Sequence, residues 1–261
     1  MRIVVTNDDG WGAKGLTVLI RQMCRLGEVT VVVPDGTRSS MSNAISVNKR
    51  LYMRKLEDHE VNAIASNEEE KPQVFVTNGT PSDCVKLAIH ELFSGDVTKI
   101  DLLVSGINHG SNSSINIIYS GTMGACFVAA EQGIKAIGFS LCDEAIDADF
   151  SFLEFHILAV VKDLYKREWR RGLCYNINAP KGELRGWRFT HQCLGHWAEE
   201  IEKRRDEEGR EYFWITGYFV NDEIRSDKTD EAAIHNGYLS IQPCTVDMTN
   251  YAVLRYLSRV T

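Results

Sequence analysis

The sequence has no apolar run approaching the roughly 20 residues of a membrane span, no Cys-x-x-Cys pair, no internal repeat and no low-complexity linker. The first absence excludes a spanning helix, and the last two exclude solenoid and tethered-module architectures. Its seven cysteines (24, 84, 126, 142, 174, 193 and 244) are scattered and odd in number. That argues against a disulfide framework or a zinc site and for reduced, mostly buried thiols. Positive charge is also short: 29 Lys and Arg stand against 36 Asp and Glu, a formal net charge of −7. A protein that coats a nucleic-acid polymer needs clustered cations to release counterions, so that class is excluded, whereas a single phosphorylated small molecule is not. Met1-Arg2 leads into only four apolar or small residues before Asn7-Asp8-Asp9, so no secretory leader is expected and the protein reads as cytoplasmic. What remains is ordinary for a globular chain, with 44% hydrophobic and 25% charged residues in 261. A chain of that length buries roughly three quarters of its unfolded surface without disulfide staples.

Hydrophobic periodicity predicts an alternating α/β chain. Ile3–Val5 reads as a strand, Gly15–Leu26 as a helix (Leu16, Leu19, Ile20, Met23), and Val29–Val33 as the next strand. Further strands are expected at Val74–Val76, Leu102–Val104, Ala136–Ser140 and Leu173–Ile177. Helices are expected from Thr80-Pro81-Ser82-Asp83, at Gly121–Gln132 and over 150–168. Such βαβ units predict a parallel sheet buried on both faces. After Pro180 the character turns β-rich. Trp187–Gln192 and Tyr212–Gly217 read as strands of one hairpin, the charged run Glu199–Glu211 between them as a solvated, partly helical arm, Tyr238–Ile241 as a closing strand and Asn250–Ser258 as a short helix.

The polar residues cluster by position. Asn7-Asp8-Asp9-Gly10, Pro34-Asp35-Gly36-Thr37-Arg38-Ser39-Ser40, Asn78-Gly79-Thr80 and Ser105-Gly106-Ile107-Asn108 each follow a strand. In an open parallel sheet those carboxyl ends share one edge, where ligands bind. Each motif alone is an ordinary turn; together they predict one site. Adjacent carboxylates, a serine hydroxyl and an asparagine amide are hard oxygen ligands that suit Mg²⁺ or Mn²⁺. Gly106, Gly110, Gly121 and Thr122 add donors, and Gly121-Thr122 opens a helix whose N-terminus favours an anion. A cation beside an anion cradle points to a phosphate ester.

Gly10-x-Gly12-x-x-Gly15, with Asp35 lying 20 residues beyond Gly15, matches a dinucleotide-binding fingerprint on paper and carries the alternative of an NAD-dependent oxidoreductase. Asp8 and Asp9 oppose it, because they stand where a pyrophosphate needs bare N–H donors. A non-catalytic metal and nucleotide sensor is the other alternative. His109 lies in the site loop as a candidate acid for the leaving group or a loop residue without a role. His191 and His196 read as packed or surface residues. Trp187, Tyr212, Phe213 and Trp214 read as core or subunit contacts.

These motifs, with Ser42-Asn43, Pro81-Ser82-Asp83-Cys84, Tyr119-Ser120-Gly121-Thr122, Asn176-Ile177-Asn178, Thr229-Asp230 and Gly237-Tyr238-Leu239-Ser240-Ile241, closely resemble the SurE family, the survival-protein-E nucleotidases. The resemblance covers nearly the whole chain. It implies a phosphomonoesterase that needs one divalent ion per subunit, Mg²⁺ or Mn²⁺, and hydrolyses nucleoside monophosphates, as a 5′-nucleotidase that also takes 3′-nucleotides. It implies a Rossmann-like parallel sheet flanked by helices over residues 1–180. Residues 181–261 become a β-rich C-terminal hairpin arm and oligomerisation elements that return to the core, in a homodimer or homotetramer. Carried over by motif, the metal ligands are Asp8, Asp9, Ser39 and Asn108, with Asp8 and Asp9 catalytic. The phosphate contacts are Asn43, Ser105, Gly106, Ser120, Gly121 and Thr122. The chain departs from the pattern twice: Ala13-Lys14-Gly15 stands where Ala-Pro-Gly is usual, and Ser40 where glycine is common, which leaves Ser39 and Ser40 both open as the ligand.

Overall fold

A computed structural model describes residues 1–62 and 71–260. In chain order its elements are β1 (Arg2–Thr6), α1 (Lys14–Cys24), β2 (Glu28–Pro34), β3 (Met53–Lys55), α2 (Asp58–Asn62), β4 (Gln73–Thr77) and α3 (Pro81–Leu87), then β5 (Leu102–His109), α4 (Gly121–Glu131), β6 (Ala136–Cys142), α5 (Glu154–Tyr165) and β7 (Leu173–Pro180). The last third adds β8 (Trp187–Phe189), β9 (Gly195–Ala198), β10 (Ile201–Arg205), β11 (Glu211–Ile215), β12 (Tyr218–Asn221), α6 (Asp230–His235), β13 (Leu239–Thr245) and α7 (Tyr251–Val260).

Nine strands form one sheet in the order β3-β4-β2-β1-β5-β6-β7-β13-β8. The run from β4 to β7 is parallel throughout, while β3 at one edge and β13 beside β7 are antiparallel. The pleat sends alternate side chains to two separate cores. Ile3, Val5, Val31 and Val33 meet Leu16, Leu19 and Met23 of α1 and Ile157, Val160 and Leu164 of α5 on one face. Val4 and Val32 meet Val85 and Ala88 on one side and Met123, Cys126 and Ala129 of α4 on the other face. Strands buried on both faces are why the sequence shows continuous Val and Ile runs there. The α/β class and the parallel sheet expected from the sequence are both present.

Strand order reverses between β1 and β5, because the chain builds outward from β1 to β4 on one side and from β5 to β7 on the other. Open α/β sheets leave a crevice at that point, outside the carboxyl ends of the strands. Asp8 and Asp9 leave β1 there, and Ser105–Asn108 form the end of β5.

The C-terminal expectations need correction. Trp187–Gln192 does not pair with Tyr212–Gly217: β8 joins the main sheet beside β13 in parallel, and Tyr212–Ile215 pairs instead with the charged run. That run is not helical. Ile201–Arg205 faces Glu211–Ile215 in antiparallel register, Arg204 opposite Tyr212 and Lys203 opposite Phe213. Gly209 turns the hairpin at φ 79°. The β-forming aromatics and cross-strand ion pairs such as Lys203–Glu211 at 2.8 Å outweigh the helix propensity of Glu, Lys and Arg. Tyr212, Phe213 and Trp214 are exposed at 39%, 62% and 46%, so the core reading of these aromatics fails. His191 and His196 lie at the surface beside Glu223 and Asp222. All seven cysteines are free thiols, four of them buried. Among the described residues no helix is long and apolar enough to cross a membrane.

Candidate active site

Asp8 stands two residues past the end of β1 and is 3% exposed. Its Oδ1 accepts the Thr122 hydroxyl at 2.6 Å, and a Cβ placed on Gly121 would lie 2.9 Å from its Oδ2. The carboxyl therefore rests against the first turn of α4, whose N-cap Ser120 accepts from Met123 N at 3.1 Å. Only glycine at 121 permits that approach. Burial, with the neighbouring Asp9 charge adding to it, pushes the Asp8 carboxyl up to about 6, against the hydrogen bond from Thr122. Asp9 is half-buried and also raised by burial, opposed by the His109 backbone N–H on its Oδ2 at 3.2 Å. The hydrogen-bond donors to the pair are thus a hydroxyl and an amide, and the His109 ring adds a favourable charge beside Asp9.

The other strand ends close on this pair. Arg38 N donates to Asp8 O at 2.6 Å and the Thr37 hydroxyl to Asp9 O at 3.4 Å, which brings the 35–40 loop alongside, with Ser39 one residue from Arg38. The Arg38 guanidinium bonds Asp35 at 2.6 Å and Asn78 O at 3.5 Å, so one side chain links the loops after β2 and β4. Ser39 and Ser40 are exposed, and Ser40 holds φ 58°. Ser42 bonds Tyr119 O and Ile118 O, and Asn43 Oδ1 lies 3.1 Å from where a Gly124 Cβ would stand, so Asn43 borders α4. Asn108 Nδ2 donates to Gly110 O at 2.8 Å, which leaves its amide oxygen available. The register of β5 against β6 shifts between Ser105 and Asn108, and Gly106 sits at φ 123° with Phe139 O only 2.3 Å from where a Cβ would be. Among the described residues four buried side-chain oxygens have no hydrogen-bond partner, and three of them, Thr6 Oγ1, Asn7 Oδ1 and Ser105 Oγ, lie where β1 and β5 end.

Adjacent carboxyls, one buried and one half-buried, an amide oxygen and orphaned oxygens at the same strand ends suit a hard divalent cation, and the helix N-terminus facing Asp8 suits an anion. The glycine loop does not suit a pyrophosphate. Trp11 N already donates to Pro34 O and Ala13 N to Gly10 O, and Gly10 packs against Gly36 with 2.8 Å to an added Cβ.

The chain matches the family model "Survival protein SurE" over residues 3–199. The chain belongs to the SurE family. It is 42% identical to the 5′-nucleotidase SurE of Christiangramia forsetii over 98% of this chain and 95% of that one, and 40% identical to the 5′-nucleotidase SurE of Flavobacterium psychrophilum over 98% and 96%. A crystal structure of the SurE protein from Aquifex aeolicus superposes with a TM-score of 0.81 at 28% identity, covering 100% of this chain and 99% of that one.

For a SurE protein the less legible residues lie in the last third. Asn176 and Asn178 on β7 hold Asn112, through Asn176 Nδ2 to Asn112 O at 2.9 Å and Asn112 N to Asn178 Oδ1 at 2.8 Å. Asp230, wholly buried, and Glu231, on the Ser113 hydroxyl, hold the segment leading to Ser120. Thr229 N-caps α6, accepting from Ala232 N at 3.0 Å. Thr-Asp-Glu is a helix-start signal in the sequence, but nothing there says which distant backbone the acids meet. Both departures from the SurE pattern stand at the surface: Lys14 begins α1 with Nζ 3.5 Å from Ile146 O, and Ser40 takes the left-handed conformation that glycine adopts at less cost.

Proposed function

We propose that this protein is a 5′-nucleotidase, a phosphoric monoester hydrolase acting on nucleoside monophosphates with the help of one divalent cation, Mg²⁺ or Mn²⁺. The observation that carries the reading is Asp8, buried at the strand-order reversal, bonded to Thr122 in the first turn of α4. Anion-binding donors and cation-binding carboxylates thereby share one crevice.

Asp8, Asp9, Asn108 and Ser39 would hold the cation, with Ser40 as the competing hydroxyl. When bound, the cation supplies charge neutralisation and Lewis-acid polarisation of a phosphate oxygen. Backbone N–H groups of Gly121 and Thr122, with the α4 dipole behind them, bind the remaining phosphate oxygens. Ser105, Gly106, Ser120 and Asn43 complete that cradle. As the water oxygen bonds to phosphorus and the ester P–O bond breaks, one carboxylate of the Asp8–Asp9 pair accepts the water's proton, and that proton returns to the departing nucleoside oxygen, which leaves as a hydroxyl. Residues 1–180 form the catalytic unit and 181–261 a hairpin arm with oligomerisation elements that return to the core, in a homodimer or homotetramer placed in the cytoplasm. 3′-Nucleotides are further substrates.

Phosphate release from a panel of nucleoside monophosphates with Mg²⁺, Mn²⁺ or chelator tests this. Metal-dependent release is expected. A sensor would bind nucleotide without release, and tight NAD(H) binding without metal would favour the oxidoreductase. A phosphorylated Asp8 or Asp9 in quenched samples would replace direct water attack with a covalent route.

A further inference from the structure

The segment between β5 and α4, residues 110–120, delivers the chain to the phosphate-binding turn, and β5 and α4 hold only its two ends, at Gly110 and Ser120, while the anchors of 112–116 come from elsewhere in the chain. Ser114 begins a turn of 3₁₀ helix (Ser114–Ile118) and holds φ 50°, a left-handed conformation that a serine keeps only when its surroundings impose it. Two bonds impose it here. Asp230 Oδ2 accepts from Ser114 N at 2.7 Å, and the Ser114 hydroxyl donates to Cys193 O at 2.8 Å. The other carboxylate oxygen of Asp230 accepts from Cys193 N at 2.9 Å and Glu231 N at 2.8 Å, closing a three-way junction of the turn, the 191–194 segment and the start of α6. One turn further on, Asn116 Oδ1 accepts the Trp197 indole N–H at 2.9 Å from β9.

We propose that Asp230 is a positioning residue for phosphate-ester binding, holding the 113–120 segment from the C-terminal third of the chain, with Trp197 as a second tether. The proposal rests on the nucleotidase reading. Asp230 touches no substrate; it acts through Ser114 on the Ser120-Gly121-Thr122 turn. A carboxylate is required because both oxygens accept backbone N–H groups. An asparagine offers one acceptor and turns an NH₂ toward the other donor, so it loses either the Ser114 or the Cys193 bond. Asp9 and Asn108, past β1 and near the end of β5, make no bond to the 113–122 segment, and Asp8 meets it through Thr122. Phosphate affinity is therefore expected to fall further than cation affinity.

The test compares full-length wild type, Asp230→Asn and Trp197→Phe, with Asp222→Asn as a surface control. Four readouts are taken: amide hydrogen exchange over 113–120, the Mn²⁺ dissociation constant by calorimetry, the inhibition constant of inorganic phosphate, and KM with kcat for a nucleoside monophosphate. Asp230→Asn is expected to speed exchange by about tenfold or more. It should raise KM and the phosphate constant by about fivefold or more, leave Mn²⁺ affinity within about twofold, and change kcat less than KM. Trp197→Phe moves the same readouts less, and it carries the test if Asp230→Asn fails to fold. Wild-type KM and phosphate constants in a folded Asp230→Asn protein of lowered melting temperature would overturn the proposal. So would Mn²⁺ affinity falling in step with phosphate affinity. If wild type hydrolyses no nucleotide, the nucleotidase reading fails separately, and exchange with direct phosphate binding still decides the role of Asp230.

Discussion

Asp8 carries the heaviest electrostatic burden of any residue in the crevice, since its carboxyl is 3% exposed with a second carboxyl next to it in sequence. Its folded value of about 6 exceeds the ordinary 3.8. The stability Asp8 contributes to the metal-free protein is therefore fully present below about 3.8 and lost as pH rises through about 6, in all about 3 kcal/mol. Melting temperatures in chelator should fall across that window for wild type more than for Asp8→Asn, and a saturating divalent cation should abolish the difference. Equal slopes for the two proteins would refute the burial argument. Asp9→Asn removes a ligand charge at constant size, so circular dichroism should be retained while Mn²⁺ affinity and kcat/KM fall by roughly 10²-fold or more. The acid pair was legible in the sequence because adjacency to the first strand placed it. Asn108, Gly121 and Thr122 were legible for the same reason, each sitting at a strand end or helix start. Asp230 was not, because its partners Ser114 and Cys193 are 116 and 37 residues away and are backbone amides, which leave no trace in residue type.

α4 joins the site to the sheet, and its small residues let other backbones approach. A Cβ on Gly124 would lie 2.1 Å from Ser42 O, a backbone atom that cannot swing aside. Gly124→Ala should displace the 42–43 loop, and Asn43 with it, at a cost of about 1–3 kcal/mol. Thermal denaturation measures the first effect, and a raised KM for nucleoside monophosphate with unchanged Mn²⁺ affinity measures the second; an unshifted KM would show that Asn43 plays no part in binding. At this scale the βαβ core was readable because strands and helices buried on two faces impose clean periodicities. The arm was not. Tyr212–Ile215 has the composition of a strand in either pairing, and only the Gly209 turn and the ion pairs opposite it choose β10 over β8. Glu, Lys and Arg between Ile201 and Arg205 obscured the partner strand, because their helix propensity is decided against only once the hairpin closes.

Over the whole molecule, two elements expose apolar surface that a single chain leaves to solvent. On the hairpin, Ile201, Phe213 and Ile215 share one face at 61%, 62% and 86% exposure. In α7, Tyr251, Val253, Leu254, Tyr256 and Leu257 are each about half exposed or more, and all nine described side chains from 251 to 259 are exposed. A helix of 10 residues is too short to persist in water on its own propensity, and contiguous apolar surface of this kind marks a protein interface. The net charge of −7 does not by itself prevent self-association, since like-charge repulsion is screened within about 8 Å at physiological salt. Sedimentation equilibrium should therefore return a dimer or tetramer of the 29.4 kDa chain. Phe213→Lys with Ile215→Lys should lower that mass, and so, separately, should Leu254→Glu. Because the 113–120 segment is anchored to the base of the arm through Trp197, the variant that dissociates the assembly should also raise KM for nucleotide by a few-fold. A monomeric wild type at micromolar concentration, or dissociation with no change in KM, would separate the arm from the site and confine its role to assembly.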